Sequence, residues 1–202
     1  RPFDPSLPED KEHFNGIRME NISYGYEGRS RALKDLSLTV PKGSVVALVG
    51  LSGCGKSTTA ALLMRFCDAA AGHIYMEGKD YHSMKPEELR KHIAMVPQQV
   101  NLFSGTIRDN LLLADPDADD ETLMETVKEA GLLKFVQSLE KGLDSDVGNA
   151  GASLSGGQRQ KIGIARALLS KAEYMIFDEA TSSVDPESEK EIWETIGHLA
   201  HT

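Results

Sequence analysis

One glycine-rich run constrains the fold of this chain more than any other feature: Gly50-Leu51-Ser52-Gly53-Cys54-Gly55-Lys56-Ser57. Its pattern, G-x-x-x-x-G-K-[ST], is typical of a phosphate-binding loop between a strand and a helix. The glycines allow successive N–H groups to converge on phosphate oxygens, Lys56 adds a positive charge, and the Ser57 hydroxyl can ligate Mg²⁺. The run therefore predicts a site for a nucleoside triphosphate.

The residues on both sides of this loop match the expected context. The run from Ser44 to Val49 is apolar and β-branched, which predicts a buried strand, and Thr58 to Phe66 is rich in helix formers. The helix would present its free N–H groups and the positive end of its dipole to the phosphates. We expect the following residues to bind the nucleotide: Gly50, Ser52, Gly53, Cys54, Gly55, Lys56, Ser57 and Thr58.

A second part of the site follows a later apolar strand. Tyr174 to Phe177 predicts a strand, and Asp178-Glu179 comes directly after it. Beside a phosphate-binding loop, Asp178 is placed to hold Mg²⁺, and Glu179 to orient and polarise the attacking water. Without such a loop in the chain, the same pair would be read as a solvated strand end.

A third motif reads Leu154-Ser155-Gly156-Gly157-Gln158, followed by a helical stretch to Leu169. Ser155 is a good N-cap residue, and two glycines at a helix start favour close approach of an anion. The motif therefore predicts a second anion-binding helix N-terminus in the same chain.

Together and in this order, the motifs resemble those of ATP-binding-cassette (ABC) ATPases, over nearly the whole chain from about Ile17. The resemblance implies an α/β fold: a P-loop NTPase core with a mostly parallel sheet, an antiparallel β subdomain and an inserted helical subdomain at about 86–170. It implies ATP and Mg²⁺ as ligands. It also implies nucleotide contacts from the third motif, through Ser155, Gly156, Gly157 and Gln158.

Local patterns predict the main elements. We expect antiparallel strands within 17–40, a strand at 72–78, a helix from Pro86 to about His92, helices between 119 and 139, and a helix after Pro186. Gly131 separates the two helical patterns between 119 and 139.

The resemblance assigns two further nucleotide contacts. Tyr26 matches the aromatic residue that stacks on adenine, with Tyr24 as the competing candidate and an ordinary strand tyrosine as the structural alternative. Asp185 matches an aspartate that communicates across a dimer. An acidic residue at a helix N-terminus is also stabilising for structural reasons alone, and both readings can hold together.

Gln98 matches the glutamine that contacts Mg²⁺ and the attacking water in this family. Gln99 is adjacent, and the choice rests on the Asn101-Leu102-Phe103 that follows. The implied catalytic residues are therefore Glu179, Lys56 and Gln98, and the implied Mg²⁺ ligands are Ser57, Gln98 and Asp178.

The resemblance implies an ATPase that powers transport through a head-to-tail dimer. Gly50 to Thr58 of one subunit and Ser155 to Gln158 of the other would enclose one ATP, with the partner domain identical or different. The flank from Leu102 to Leu111 is similar to exporters that fuse this domain behind a transmembrane domain. Coupling helices of that domain would contact the region Asp146 to Gly151, where Asn149 replaces a common acidic residue.

The motifs are compatible with two other functions: an ABC protein that acts on DNA or ribosomes, and a regulatory module that does not hydrolyse ATP. The net charge of −9, from 22 basic and 31 acidic residues, disfavours nucleic acid as a partner. Glu179 disfavours the regulatory module, because degenerate sites usually lose this residue.

The ends of the chain and its apolar runs complete the prediction. Residues 1–16 are Pro-rich and charged, typical of a linker from a preceding, absent transmembrane domain, and no apolar run approaches the roughly 20 residues that span a bilayer. Residues 17–202 are then a C-terminally truncated ATPase domain, soluble as a fragment and located on the cytoplasmic side of a plasma or inner membrane. The chain stops at His201-Thr202, before the family's switch histidine, and neither His198 nor His201 matches it. We therefore expect weak hydrolysis by this fragment.

Overall fold

The computed structural model describes most of the chain, namely residues 3–4, 6–7, 14–25, 31–182 and 184–199. The chain divides into two compact units, unit 1 with residues 1–90 and unit 2 with residues 91–202. Unit 1 contains the glycine-rich loop. Unit 2 contains Asp178-Glu179 and the motif that begins at Leu154.

Unit 1 contains a four-stranded antiparallel sheet. Strand β1 (Gly16–Gly25) pairs with β2 (Arg31–Pro41) on one side and with β3 (Ala71–Met76) on the other, and β3 pairs with β4 (Lys79–Asp80). The sheet order is β2-β1-β3-β4. The antiparallel strands predicted within 17–40 and the strand predicted at 72–78 are confirmed.

Side-chain alternation along β1 buries one face of this sheet. Ile17 and Met19 are buried and Arg18 between them is half-buried, as the two-residue period of a strand requires. At Asn21, where φ is 50°, the register with the neighbouring strands shifts, so that Ile22 is buried instead of the next alternate residue. Helices α1 (Lys56–Leu63) and α2 (Pro86–His92) complete the regular elements of this half, and α2 runs across the boundary into unit 2.

Unit 2 combines a parallel strand pair with helices. Strands β5 (Ile93–Val96) and β6 (Tyr174–Phe177) are parallel, with Val96 opposite Phe177 at their carboxyl ends. The helices are α3 (Ile107–Leu112), α4 (Asp120–Glu129), α5 (Leu133–Ser138), α6 (Gly156–Leu169) and α7 (Pro186–Leu199). The strand at 174–177, the helices between 119 and 139 and the helix after Pro186 are confirmed.

Helix α6 lies in the middle of the core of unit 2. Ile162 and Ile164 are fully buried in a cluster that also contains Leu111 of α3, Leu123 of α4 and Ile192 of α7. Among the described residues, no helix combines the length and the apolarity needed to cross a bilayer.

The prediction of a buried strand at Ser44 to Val49 is wrong. The segment forms no strand, and Val45 and Val49 are 66% and 93% exposed. An apolar, β-branched pattern indicates side chains that pack well on the surface of a sheet. A strand also needs a neighbouring strand to pair its backbone N–H and C=O groups. No described segment of unit 1 forms a ladder with residues 44–49, so these side chains stay exposed.

Acid is expected to destabilise unit 2 partly through Asp119, the N-cap of α4. Thr122 N–H donates to Asp119 Oδ1 at 2.8 Å, and the hydrogen bonds with Thr122 lower the pKa of Asp119 from its ordinary value of 3.8. A lowered folded-state pKa gives a stabilising contribution that is complete above pH 3.8 and is lost as the pH falls through the folded-state value.

Asp119→Asn removes this titration and keeps a good N-cap. As the pH is lowered from 5, we expect the free energy of unfolding to decrease less for Asp119→Asn than for the wild type. Urea denaturation at several pH values measures this difference. Asp117→Asn, an exposed change two residues earlier, is the control. Identical pH dependence in the wild type and Asp119→Asn would contradict the assignment.

Candidate nucleotide site

The glycine-rich loop of unit 1 has the backbone that phosphate binding requires. Gly53 has φ of 82°, and Gly55, the N-cap of α1, has φ of 103°. A Cβ at Gly55 would lie 2.5 Å from Leu33 Cδ2 and 2.9 Å from the carbonyl oxygen of Ala32, so only glycine fits. No described side chain caps α1 at Gly55. The N-terminus of α1 is therefore suited to an anion.

Lys56 and Ser57 begin α1 directly after this loop. Lys56 Nζ donates to the carbonyl oxygens of Gly50 at 3.0 Å and Leu51 at 3.3 Å, which holds the ammonium group against the loop. Ser57 is exposed, whereas Thr58 is buried. Both residues thus lie at the start of α1, and their contacts with a nucleotide stay a prediction.

In unit 2, the loops after β5 and β6 meet at the same edge of the parallel pair. Asp178 N–H donates to the carbonyl oxygen of Val96 at 3.0 Å. Gln98 Nε2 donates to Ser182 Oγ at 2.9 Å, and that hydroxyl donates to the carbonyl oxygen of Glu179 at 3.0 Å. Gln98 therefore contacts the loop that carries Asp178 and Glu179, which favours it over Gln99.

Glu179 has an unusual backbone conformation. Its φ of 48° lies in the left-handed region, which costs a residue with a Cβ about 1–2 kcal/mol. Both the N–H and the hydroxyl of Ser182 donate to the Glu179 carbonyl oxygen at 3.0 Å and stabilise this turn. Five other described non-glycine residues have a similar φ, so the conformation alone does not mark Glu179 as functional. Sequence reasoning missed Ser182, although serine is a common turn residue and Ser182 lies three residues after Glu179.

Ser155 is the N-cap of α6, as predicted, and it forms a capping box. Gln158 N–H donates to Ser155 Oγ at 3.2 Å, and Ser155 N–H donates to Gln158 Oε1 at 2.8 Å. Gln158 thus also has a structural role, which the S-x-x-Q spacing could have indicated. A Cβ at Gly157 would lie 2.4 Å from Ser188 Oγ of α7, so this glycine allows the two helices to approach closely, beside the half-buried Gly156.

The remaining candidate nucleotide contacts are Asp185, Tyr26 and Tyr24. Ser188 N–H donates to Asp185 Oδ1 at 3.0 Å, and the hydrogen bonds with Ser188 lower the pKa of Asp185. Asp185 therefore has the structural role expected of an acidic residue at a helix N-terminus. Its role across a dimer stays a prediction. Tyr26 lies outside the described residues, and Tyr24 is half-buried in β1.

The implied Mg²⁺ ligands are divided between the two units, with Ser57 in unit 1 and Gln98 and Asp178 in unit 2. Across the described residues, no group of three or more His, Cys, Asp or Glu side chains is arranged to hold a metal. Mg²⁺ prefers oxygen ligands such as the hydroxyl, amide oxygen and carboxylate of Ser57, Gln98 and Asp178. Their joint binding of one ion stays a prediction.

Comparison with known proteins identifies the family. The family model described as ABC transporter matches residues 33–182, which include the glycine-rich loop, Gln98, the motif at Ser155 and Asp178-Glu179. The chain belongs to the ABC transporter family.

Curated relatives and a solved structure agree with this assignment. The ABC-type transporter kk1G of Curvularia clavata is 45% identical over 92% of this chain and 14% of its own length. The ATP-dependent lipid A-core flippase of Haemophilus ducreyi is 44% identical over 91% of this chain and 32% of its own length. A bacterial Atm1-family ABC exporter, solved with ATP bound, superposes with a TM-score of 0.86 at 36% identity, over 98% of this chain and 34% of its own.

These comparisons confirm the resemblance to ABC exporters and the α/β P-loop fold that it implied. The chain spans about a third or less of the length of the relatives it matches.

Proposed function

We propose that residues 17–202 form an ABC ATPase domain, with a helical subdomain at about 86–170, that powers export across a membrane. The observation that carries this proposal is the presence, within one ABC family member, of a glycine-capped α1 that begins at Lys56 and of Asp178-Glu179 directly after β6. Phosphoryl transfer needs both a phosphate cradle and a group that orients water.

The loop from Gly50 to Thr58 binds the ATP phosphates through backbone N–H groups and Lys56 Nζ, and Tyr26 stacks on adenine. Ser57, Gln98 and Asp178 would hold Mg²⁺, which neutralises phosphate charge when bound. Because Lys56 already lies against the loop carbonyls, little rearrangement is needed to bring its charge to the phosphates.

Hydrolysis depends on a water held by Glu179 for in-line attack on the γ-phosphate. The carboxylate accepts a hydrogen bond from this water and polarises it. Gln98 assists from the loop after β5, where its side chain already contacts Ser182 of the Glu179 turn. The geometry of unit 2 thus keeps the two residues on neighbouring, connected loops.

A second nucleotide-binding domain, identical or related, completes the site. The N-terminus of α6, from Ser155 to Gln158, contacts the γ-phosphate of an ATP that is bound at the Gly50 loop of the partner domain. Asp185 communicates across the same interface. A helix N-terminus with two glycines is suited to an anion, and this arrangement explains why one chain carries two such ends.

A transmembrane domain is the second partner, with coupling helices that contact the domain on the cytoplasmic side of the membrane. Residues 1–202 alone hydrolyse ATP weakly in this proposal. The segment 44–49, which leads into the phosphate loop, has no ladder partner within the described part of unit 1.

Phosphate release from MgATP by the complete polypeptide that carries this chain tests the proposal. We expect sustained release by the wild type and loss of that release in Glu179→Gln. Wild-type protein that binds MgATP without releasing phosphate would instead support the regulatory module.

A further inference from the structure

Helix α6 holds the segment that carries Gln98 through a buried side chain, Gln160. Gln160 is 4% exposed, and its Nε2 donates to the carbonyl oxygens of Pro97 at 3.2 Å and of Gln98 at 2.8 Å. One amide therefore fixes two consecutive peptide units of the loop after β5.

Two more positions on the same side of α6 contact this segment. A Cβ at Gly163 would lie 2.5 Å from Val100 Cγ2, so Val100 packs directly on the helix backbone. Arg166 Nη1 donates to the carbonyl oxygen of Asn101 at 2.7 Å. Residues 160, 163 and 166 recur every three positions, which places them along one face of the helix. The main chain from 97 to 101 is thus held along α6.

The side chain of Gln98 is held by the loop after β6. Its Nε2 contacts Ser182 of the Glu179 turn, while its own carbonyl oxygen accepts from Gln160. A change in the position of α6, whose N-terminus carries Ser155, therefore reaches the Gln98 side chain through the Gln160 amide.

The buried amide of Gln160 is satisfied as a donor but not as an acceptor. Its Oε1 is buried and has no hydrogen-bond partner among the described residues. A buried acceptor without a partner is destabilising, whereas the two donated hydrogen bonds satisfy the carbonyl oxygens of Pro97 and Gln98. The donor contacts to Pro97 and Gln98 are what the amide adds.

We propose that Gln160 is a positioning residue for ATP hydrolysis, which sets the location of Gln98 through the carbonyl groups of Pro97 and Gln98. This inference rests on the proposed function, in which Gln98 contacts Mg²⁺ and the attacking water. It links α6, whose N-terminus contacts the partner's ATP in the proposed function, to the loop that carries Gln98 at the chain's own site.

Gln160→Met tests this role in the complete polypeptide, because methionine has a similar length and no amide. We expect kcat for MgATP hydrolysis to fall about tenfold while KM changes less than about twofold, since the phosphate-binding residues of unit 1 are unchanged. Gln137→Met, at an exposed position of α5, is the matched control and is expected to leave both constants unchanged.

A double-mutant cycle with Gln98→Ala separates positioning from a merely structural role. If Gln160 acts through Gln98, Gln160→Met lowers kcat by less than about twofold in the Gln98→Ala background. An equal tenfold loss in both backgrounds, or no loss in the single variant, would overturn the inference. If Gln160→Met does not fold, Gln160→Asn is used in the same cycle, because it keeps the amide but shortens its reach.

The two proposals fail in different ways. Absence of MgATP hydrolysis by the wild type would overturn both. Hydrolysis by the wild type that is lowered by Gln98→Ala and unaffected by Gln160→Met would overturn this inference alone.

Discussion

Glu179→Gln is expected to lower kcat for MgATP hydrolysis by about 10²- to 10³-fold and to leave MgATP affinity nearly unchanged. Glutamine keeps the size of glutamate and can still contact a water, but it lacks the negative charge that polarises this water. The nucleotide is held elsewhere, at the loop that ends in Lys56. Phosphate-release kinetics and equilibrium titration with MgATP measure the two quantities separately.

The backbone at Glu179 makes this substitution a clean test. Glutamine and glutamate meet the same steric cost at φ of 48°, and the Ser182 hydrogen bonds to the carbonyl oxygen do not involve the side chain. Glu189→Gln, the same change at an exposed position of α7, is the control. Hydrolysis by Glu179→Gln at the wild-type rate would exclude Glu179 as the residue that orients water.

Lys56→Met is expected to weaken MgATP binding about 10- to 100-fold, which corresponds to about 1.4 to 2.8 kcal/mol. The ammonium group of Lys56 supplies charge-assisted hydrogen bonds to phosphate oxygens, and methionine keeps only the length of the chain. MgATP should lose more affinity than MgADP, because a lysine in this motif reaches both the β- and γ-phosphates.

Equilibrium titration with both nucleotides measures this effect. Lys56 Nζ donates to the carbonyl oxygens of Gly50 and Leu51 in its own loop, and both hydrogen bonds are exposed to solvent. Because water can replace them, a large loss of stability is not expected. Lys79→Met, at an exposed position of β4 in the same unit, is the matched control. Equal loss of MgATP affinity in both variants would point to a general effect of charge.

Local motifs could be predicted from the sequence because their geometry depends on neighbouring residues. Gly53 and Gly55 occupy backbone conformations that favour glycine, and Ser155 caps the helix that it precedes. The strand that ends before Asp178 was identified by its apolar run between polar residues. In each case the residues that determine the structure lie within a few positions of one another.

Contacts between distant residues could not be predicted in this way. The apolar pattern at 44–49 gives no information about which strand would pair with it, and the structure shows no ladder there. Gln160 reaches a carbonyl group 62 residues away, and Gln98 reaches Ser182 over 84 residues. The capping box of Gln158 is different, because its spacing was visible and only its structural role was missed.

The central claim is that two phosphate-binding helix ends, one from each of two subunits, enclose one ATP. Disulfide cross-linking between two differently tagged copies tests it most directly. One copy carries Ser52→Cys, the other carries Ser153→Cys, and both carry Glu179→Gln in a background without other accessible cysteines. Because each copy has a single cysteine, a product with both tags requires contact between subunits.

We expect this mixed product to form with MgATP and to be largely lost without nucleotide or when Lys56→Met is added. A product that forms equally well without nucleotide, or none at saturating MgATP, would contradict the composite site.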